Sequence, residues 1–377
     1  MEWPEFTNPF VGIEPPPSVH VPEREELLGS ICAERSPRSG FPYPPEAPVF
    51  WIKYGFAVYW NEVCGQTVAY DGLRQIGSSV RAPGAYYAFK EDISTYIVME
   101  YIPGKTAKQC LEETEDEAEK EKVYRSMAFA VSELHRIPIP ESRRRLAAIS
   151  GERFRHNIFE CDLQAPRHYE NTEQFQNHIN TFLRLTKREN RVHGLHQEPM
   201  VFCQADIYHG NYMIDADSRV TAIDFDLSSI VPSSLAKFSA RFHNLGVNIG
   251  QWVDVPATEG IDNTEALLAA YGPMTMGSHS FSRVGDRTRG GDDETQNRIN
   301  QALQHEVRDY PRSWGPTLGE IIAAHEANEK LGEEKDSSVL GYTTEEINKF
   351  KAWVEVSKPR TPRKARIPRE LVEDDLP

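Results

Sequence analysis

Four oxygen-bearing side chains lie close together in the middle of the sequence. They are Asp206 and Asn211 in Val201-Phe-Cys-Gln-Ala-Asp-Ile-Tyr-His-Gly-Asn-Tyr-Met-Ile-Asp215, and Asp224 and Asp226 in Val220-Thr-Ala-Ile-Asp-Phe-Asp226. The text around them reads as loop, strand, turn and strand. Carboxylate and carboxamide oxygens suit Mg²⁺, a hard cation that usually brings substrate phosphates with it. One further carboxylate would be left to orient a hydroxyl. These are the parts of a phosphoryl-transfer site. Each residue also has a plainer reading, because Asp and Asn are common turn formers.

The spacing Asp206-x-x-x-x-Asn211, followed by Asp224 on the next hairpin, is that of a kinase catalytic loop and its metal-binding aspartate. The flanking text lacks the His-Arg-Asp, Asp-Phe-Gly and Ala-Pro-Glu of protein kinases. It resembles instead the aminoglycoside phosphotransferase/choline kinase family, whose loop reads roughly His-Gly-Asp-x-x-x-x-Asn and whose hairpin reads Ile-Asp-(Trp/Phe)-(Glu/Asp). Val49-Phe-Trp-Ile-Lys-Tyr-Gly55 resembles the family's lysine strand. Thr95-Tyr-Ile-Val-Met-Glu-Tyr-Ile-Pro-Gly104 resembles its hinge strand, and Glu133-Leu-His-Arg-Ile-Pro138 the end of the helix after the hinge. The resemblance covers about residues 45 to 245 and in style is nearest the divergent fungal members.

The resemblance implies an α+β, two-lobed protein-kinase-like fold, with a small antiparallel N-lobe carrying one helix and a larger, mainly helical C-lobe. It implies ATP and Mg²⁺ as cofactors and a small-molecule acceptor with a hydroxyl. Asp206 would orient that hydroxyl, and Asn211 and Asp224 would hold the metal. Asp226 would be a second ligand or a partner for a substrate amine. Lys53, paired with Glu62, would contact the nucleotide phosphates; its plainer reading is an outward-facing strand lysine. Met99, Glu100, Tyr101 and Ile102 would meet the adenine through backbone groups. His135 reads as a core or cap residue and His209 as loop-shaping.

The sequence departs from the family in two places. Gln204-Ala205 stands where the family has His-Gly, and Gly permits backbone angles that Ala tolerates poorly. No Gly-rich phosphate loop precedes Lys53, and Arg38-Ser-Gly-Phe41 is a poor substitute. These departures open an alternative: a catalytically impaired pseudokinase that binds nucleotide or a protein partner. A protein kinase is a third and weaker reading.

The 377 residues allow two lobes of ordinary size. A net charge of -15 argues against nucleic acid or a membrane surface as partner, since phosphates would be repelled, and is compatible with a cationic substrate. The five scattered cysteines form no Cys-x-x-Cys pair, which favours reduced thiols and no zinc site. Cys203 beside His209 reads as a buried small residue rather than a nucleophile. The N-terminus has neither a basic region nor an apolar run, and no stretch is long enough to span a bilayer. The expectation is therefore a cytoplasmic protein.

Residues 1–44 read as a Pro-rich extended arm and a helix over 22–35, with a loop over 36–48. An N-lobe is expected over 45–103 and a C-lobe over 104–356. Helices are expected over 62–73 and 170–190, and near 295–308, 317–331 and 344–356, with a mobile loop near 277–293. Within 106–136 the charged run Glu112 to Lys122 reads as a solvated helix face and is followed by the amphipathic stretch Val123 to Leu134. The basic, Pro-interrupted stretch in 357–377 reads as a solvated tail, with nuclear import as its second reading.

Overall fold

Strand β3 (Phe50–Gly55) sits at the heart of a five-stranded antiparallel sheet. The other strands are β1 (Phe10–Val11), β2 (Ser39–Tyr43), β4 (Ala85–Glu91) and β5 (Ser94–Glu100), and the order across the sheet is β1-β4-β5-β3-β2. In β3, Phe50, Ile52, Lys53 and Tyr54 are all buried. A strand covered on both faces loses the alternation of a half-exposed one and reads as a continuous apolar run. Lys53 lies opposite Ile97 of β5 on one side and Gly40 of β2 on the other. β4 and β5 close through Asp92-Ile93, where Asp92 adopts φ 52, a conformation Asp tolerates better than most residues.

This is a computed structural model. It describes residues 2–17, 19–31, 39–159, 163–185, 188–241 and 249–276. Apart from Leu185 these belong to one compact unit, Met1–Arg184 with Arg188–Gly291. The helices expected near 295–308, 317–331 and 344–356, the loop 277–293 and the tail 357–377 lie outside the described residues, as do Cys32 and Cys161.

Helix α1 (Arg24–Ile31) places Leu27 in a core with Phe50, Ile52, Tyr54, Tyr86, Phe89 and Val98. Helix α2 (Trp60–Gln75) packs elsewhere. Its Cys64, Val68, Ala69 and Leu73 join the core of the second half of the molecule, while Val63 belongs to a core with Ile97 and Met99. It is therefore buried on most sides and serves both halves.

Two sequence expectations need correcting here. Residues 39–43, expected as part of a loop, form β2. Pro42 is admitted because β2 is an edge strand, where a missing N–H breaks no ladder. The arm also adds β1, so the sheet begins well before residue 45. Trp3 is buried in the second half's core, and the Trp60 indole donates to the Phe6 carbonyl at 3.2 Å.

The second half is mainly helical. Short strand β6 (Lys105–Thr106) leads into α3 (Ala107–Glu112), whose Thr106 and Gln109 form a capping box. Asp116 then caps α4 (Glu117–His135), which carries most of the charged run and the whole amphipathic stretch read from the sequence. Strand β7 (Ala147–Ala148), helix α5 (Thr172–Leu185), strands β8 (Met200–Gln204), β9 (Tyr212–Ile214), β10 (Val220–Ala222) and β11 (Ser228–Pro232), and helices α6 (Ser233–Arg241) and α7 (Thr264–Met276) complete the described elements. Two three-stranded antiparallel sheets, β10-β9-β6 and β7-β11-β8, carry the segment of interest. Met127, Leu134, Phe202, Tyr212 and Phe225 pack around them. A small antiparallel sheet with a central helix, followed by a larger helical part, is the fold class expected from the sequence.

Candidate active site

The alternation of β3 puts Trp51 and Lys53 on one face, and both line a cavity of about 530 Å³. Gly40 of β2 lies beside them. A Cβ there would come within 2.8 to 2.9 Å of the Trp51 indole, so only glycine leaves that ring in place. Met99, Glu100, Tyr101 and Ile102 also line the cavity, as do Pro83 and Thr106. Met213 and Ile223 supply apolar surface from the hairpin, and Asn211 and Asp224 add polar groups. The volume and mixed lining are those of a small-molecule site.

The Lys53 ammonium is the electrostatic centre. It forms a buried ion pair and hydrogen bond with Glu62 of α2, and its Nζ lies 3.2 Å from Asp224 Oδ1. Glu62 is 1% exposed, so its charge depends on that ammonium. Lys53, Glu62 and Asp224 are thus in direct contact, and Asn211 lines the same cavity.

Asp206 follows β8. The Asn211 Nδ2 donates to Asp206 Oδ2 at 2.9 Å and to the Asp206 carbonyl at 3.1 Å. With the amide nitrogen committed to Asp206, the carboxamide presents its oxygen as the acceptor end. Asp206 is half-buried and reaches the cavity wall through Asn211.

Asp226, like Asp206, is not among the lining residues. Its carboxylate accepts from Arg155 Nη2 at 3.2 Å. Nor do all the hinge amides face inward. The Glu100 N–H donates to the Gly84 carbonyl and the Tyr101 N–H to the Val49 carbonyl, each at 2.9 Å.

The Gln204-Ala205 departure has a structural explanation. Ala205 is fully buried and avoids positive φ, so no glycine is required there. Gln204 Nε2 donates to the carbonyls of Ile223 at 2.7 Å and Asp224 at 2.8 Å. Asp224 itself adopts φ 60, and these two bonds hold the turn that carries it. Sequence reasoning treated Gln204 only as a lost histidine; its carboxamide, able to bridge two carbonyls, was the available signal.

The neighbouring titratable groups do not compete. Burial pushes the Cys203 thiol up to about 12, so it is no nucleophile. Desolvation, with Lys108 nearby, lowers His209 below its ordinary value and keeps the imidazole neutral. Burial and then the Asp206 charge push the Tyr212 phenol up. Among the described residues no group of three or more His, Cys, Asp or Glu is placed to hold a metal ion. An Asn–Asp pair still suits Mg²⁺, which keeps several waters and takes few protein ligands when phosphates are present.

Residues 69–232 match the phosphotransferase enzyme family. The resemblance read from the catalytic loop is thereby found over the segment that contains the hinge, Asp206, Asn211, Asp224 and Asp226; Lys53 and Glu62 precede it. No curated protein matches the chain. Among solved structures, a thermostable mutant of aminoglycoside phosphotransferase APH(4)-Ia in a ternary complex with ADP and hygromycin B is 10% identical. That match covers 78% of this chain and 99% of that one, at a TM-score of 0.42. The GDP and kanamycin complex of APH(2")-IIia is 13% identical over 75% of this chain and 96% of that one, at 0.37. At such scores the likeness says nothing about individual residues.

Proposed function

We propose that the protein is an ATP- and Mg²⁺-dependent small-molecule kinase that transfers the γ-phosphoryl group to a substrate hydroxyl. One observation carries the reading: Lys53 is joined to both Glu62 and Asp224 in the wall of a cavity that Met99, Glu100, Tyr101 and Ile102 also line. A lysine so held offers a fixed positive charge to phosphate oxygens.

The roles follow from the residues. Nucleotide and metal together would supply the phosphoryl group and neutralise the charge that develops on it. Asn211 Oδ1 and the Asp224 carboxylate are the groups suited to hold the metal. Asp206 accepts a hydrogen bond from the acceptor hydroxyl and aims its oxygen. Positioning matters more than basicity in a loose transition state, so an ordinary carboxylate suffices. Asn211 fixes the Asp206 carboxylate, and Gln204 fixes the turn that presents Asp224. Trp51, Met99, Met213 and Ile223 offer apolar surface to a base. The acceptor is a small hydroxylated molecule, and the net charge of -15 is compatible with a cationic one.

A thermal-shift titration with ATP and Mg²⁺ tests this. Ligand at a hundredfold its Kd stabilises the native state by about 2.7 kcal/mol. The wild type is expected to show such a shift, larger with Mg²⁺ than with EDTA, and Asp224→Ala to lose the metal-dependent part. Absence of any shift in the wild type would sink the reading. A shift with no phosphate transferred to any hydroxylated amine would leave a nucleotide-binding module instead.

A further inference from the structure

We infer that Arg155 is a positioning residue that clamps the turn following Asp224 to the start of α2, so that Asp224 and Glu62 are held in one frame. The clamp itself is argued from geometry alone; its value to the site rests on the kinase reading above.

The Arg155 guanidinium is almost wholly buried between two groups. On one side its Nη2 lies 3.2 Å from Asp226 Oδ2, with side chains 6% and 10% exposed. On the other its Cζ lies 4.0 Å from the centroid of the Tyr59 ring. Tyr59 is the residue immediately before α2, and Asp226 stands two residues after Asp224. One side chain thus touches a near neighbour in sequence of each member of the pair that Lys53 bridges. Its own backbone is fixed: the Arg155 N–H donates to Ser229 Oγ at 2.8 Å, and the Ser229 hydroxyl donates back to the Arg155 carbonyl at 2.9 Å.

Two neighbouring contacts follow the same seam. Asn61 Nδ2 donates to the carbonyls of Asp226 and Ser228, each at 2.8 Å, and Asn61 Oδ1 accepts from the Ser150 N–H at 3.0 Å. At Gly65, a Cβ would stand 2.9 Å from the Phe225 carbonyl oxygen. These contacts set the separation of the backbones. Arg155 adds charge to the same seam. Asp226 without a cation would be a buried carboxylate two residues from Asp224, and Arg155 supplies the opposing charge there.

Hydrogen-exchange mass spectrometry on the full chain tests the clamp, comparing wild type, Arg155→Met, Arg155→Lys and the double variant Arg155→Met/Asp226→Asn. The double variant leaves no uncompensated buried charge and guards against simple misfolding. Removing the guanidinium is expected to raise exchange at least about tenfold in both 59–63 and 223–228 and to leave 85–100 unchanged. Arg155→Lys should restore part of the protection. No rise in either segment, a rise in only one, or an equal rise in 85–100 overturns the clamp. A second arm measures ATP affinity with Mg²⁺ and with EDTA. The double variant is expected to lose about tenfold in the Mg²⁺-dependent affinity alone. An unchanged Mg²⁺-dependent affinity overturns the role in the site. If the wild type shows no Mg²⁺-dependent binding, the kinase reading falls while the exchange data still decide the clamp.

Discussion

Asp224 adopts a left-handed backbone conformation, φ 60, that a non-glycine residue seldom takes without support. The support is Gln204, whose amide nitrogen binds the carbonyls on either side of the bond that turns. Gln204→Leu would remove the donor that these two part-buried carbonyls share. The expected cost is about 1–3 kcal/mol in urea unfolding, with a weaker Mg²⁺-dependent nucleotide shift. Gln204→His, keeping a donor, should recover part of both. Asp206 plays a different part in the proposed mechanism, where its carboxylate, held by Asn211 Nδ2, orients the acceptor hydroxyl. Asp206→Asn is expected to lower turnover by about 10²–10⁴-fold while nucleotide binding stays within about twofold. A steady-state assay beside a binding titration separates the two quantities. Equal loss of both would move Asp206 from chemistry to binding.

Helix α2 is the element on which the site turns, because it brings Glu62 to Lys53 and leans directly on the 225–228 backbone. Gly65 makes that approach possible. Gly65→Ala would drive a methyl group into the Phe225 carbonyl and the Ser228 side chain. The expected destabilisation is about 1–3 kcal/mol, read as a lower urea midpoint, together with a weakened metal-dependent nucleotide shift. Gly29, with nothing within 4 Å of its Cβ position, supplies the control substitution.

The same elements show what a sequence can reveal. Asp206 and Asn211 could be read because five positions of local spacing encode their relation, and Lys53 with Glu62 because one turn separates strand from helix. Arg155 and Asp226 are 71 residues apart, and Asn61 and Asp226 are 165 apart. No local pattern announces such pairs; only the packed chain creates them. For Asp226 the place two residues from Asp224 suggests a second ligand or a partner for a substrate amine, while its contact with Arg155 leaves no local sign. Residues 39–43 were hidden for another reason. Their Gly and Pro are loop signals, and the edge position that tolerates Pro42 exists only once the sheet has formed.

At the scale of the whole molecule, two histidines give the fold a pH dependence of its own. His156 is lowered to about 3 and His135 to about 4, in both cases chiefly by burial, against an ordinary value of 6.5. His156 Nδ1 accepts from the Ile158 N–H at 3.1 Å, so its proton is on Nε2, which lies 3.2 Å from the Leu235 carbonyl oxygen. Both are therefore neutral in the native state. As pH falls below 6.5 the unfolded chain takes up protons that the native state refuses, so the two groups favour unfolding increasingly down to about pH 4 for His135 and about pH 3 for His156. Above 6.5 their contribution is constant. At pH 5 the loss is about 2 kcal/mol for each histidine. Urea midpoints between pH 7.5 and 5 should show the decline, and His156→Gln should lessen its slope. An identical slope in the variant would assign the decline to carboxylates.

The first thirteen residues look expendable, rich in proline and short on periodicity. Yet they lend β1 to one sheet, anchor the Trp60 indole through the Phe6 carbonyl, and bury Trp3 in the hydrophobic interior beyond α2. A shortened gene beginning after Ile13 would therefore not yield a tidier protein. It would remove a clasp that closes over both halves at once, and the product should be found in inclusion bodies rather than in the supernatant.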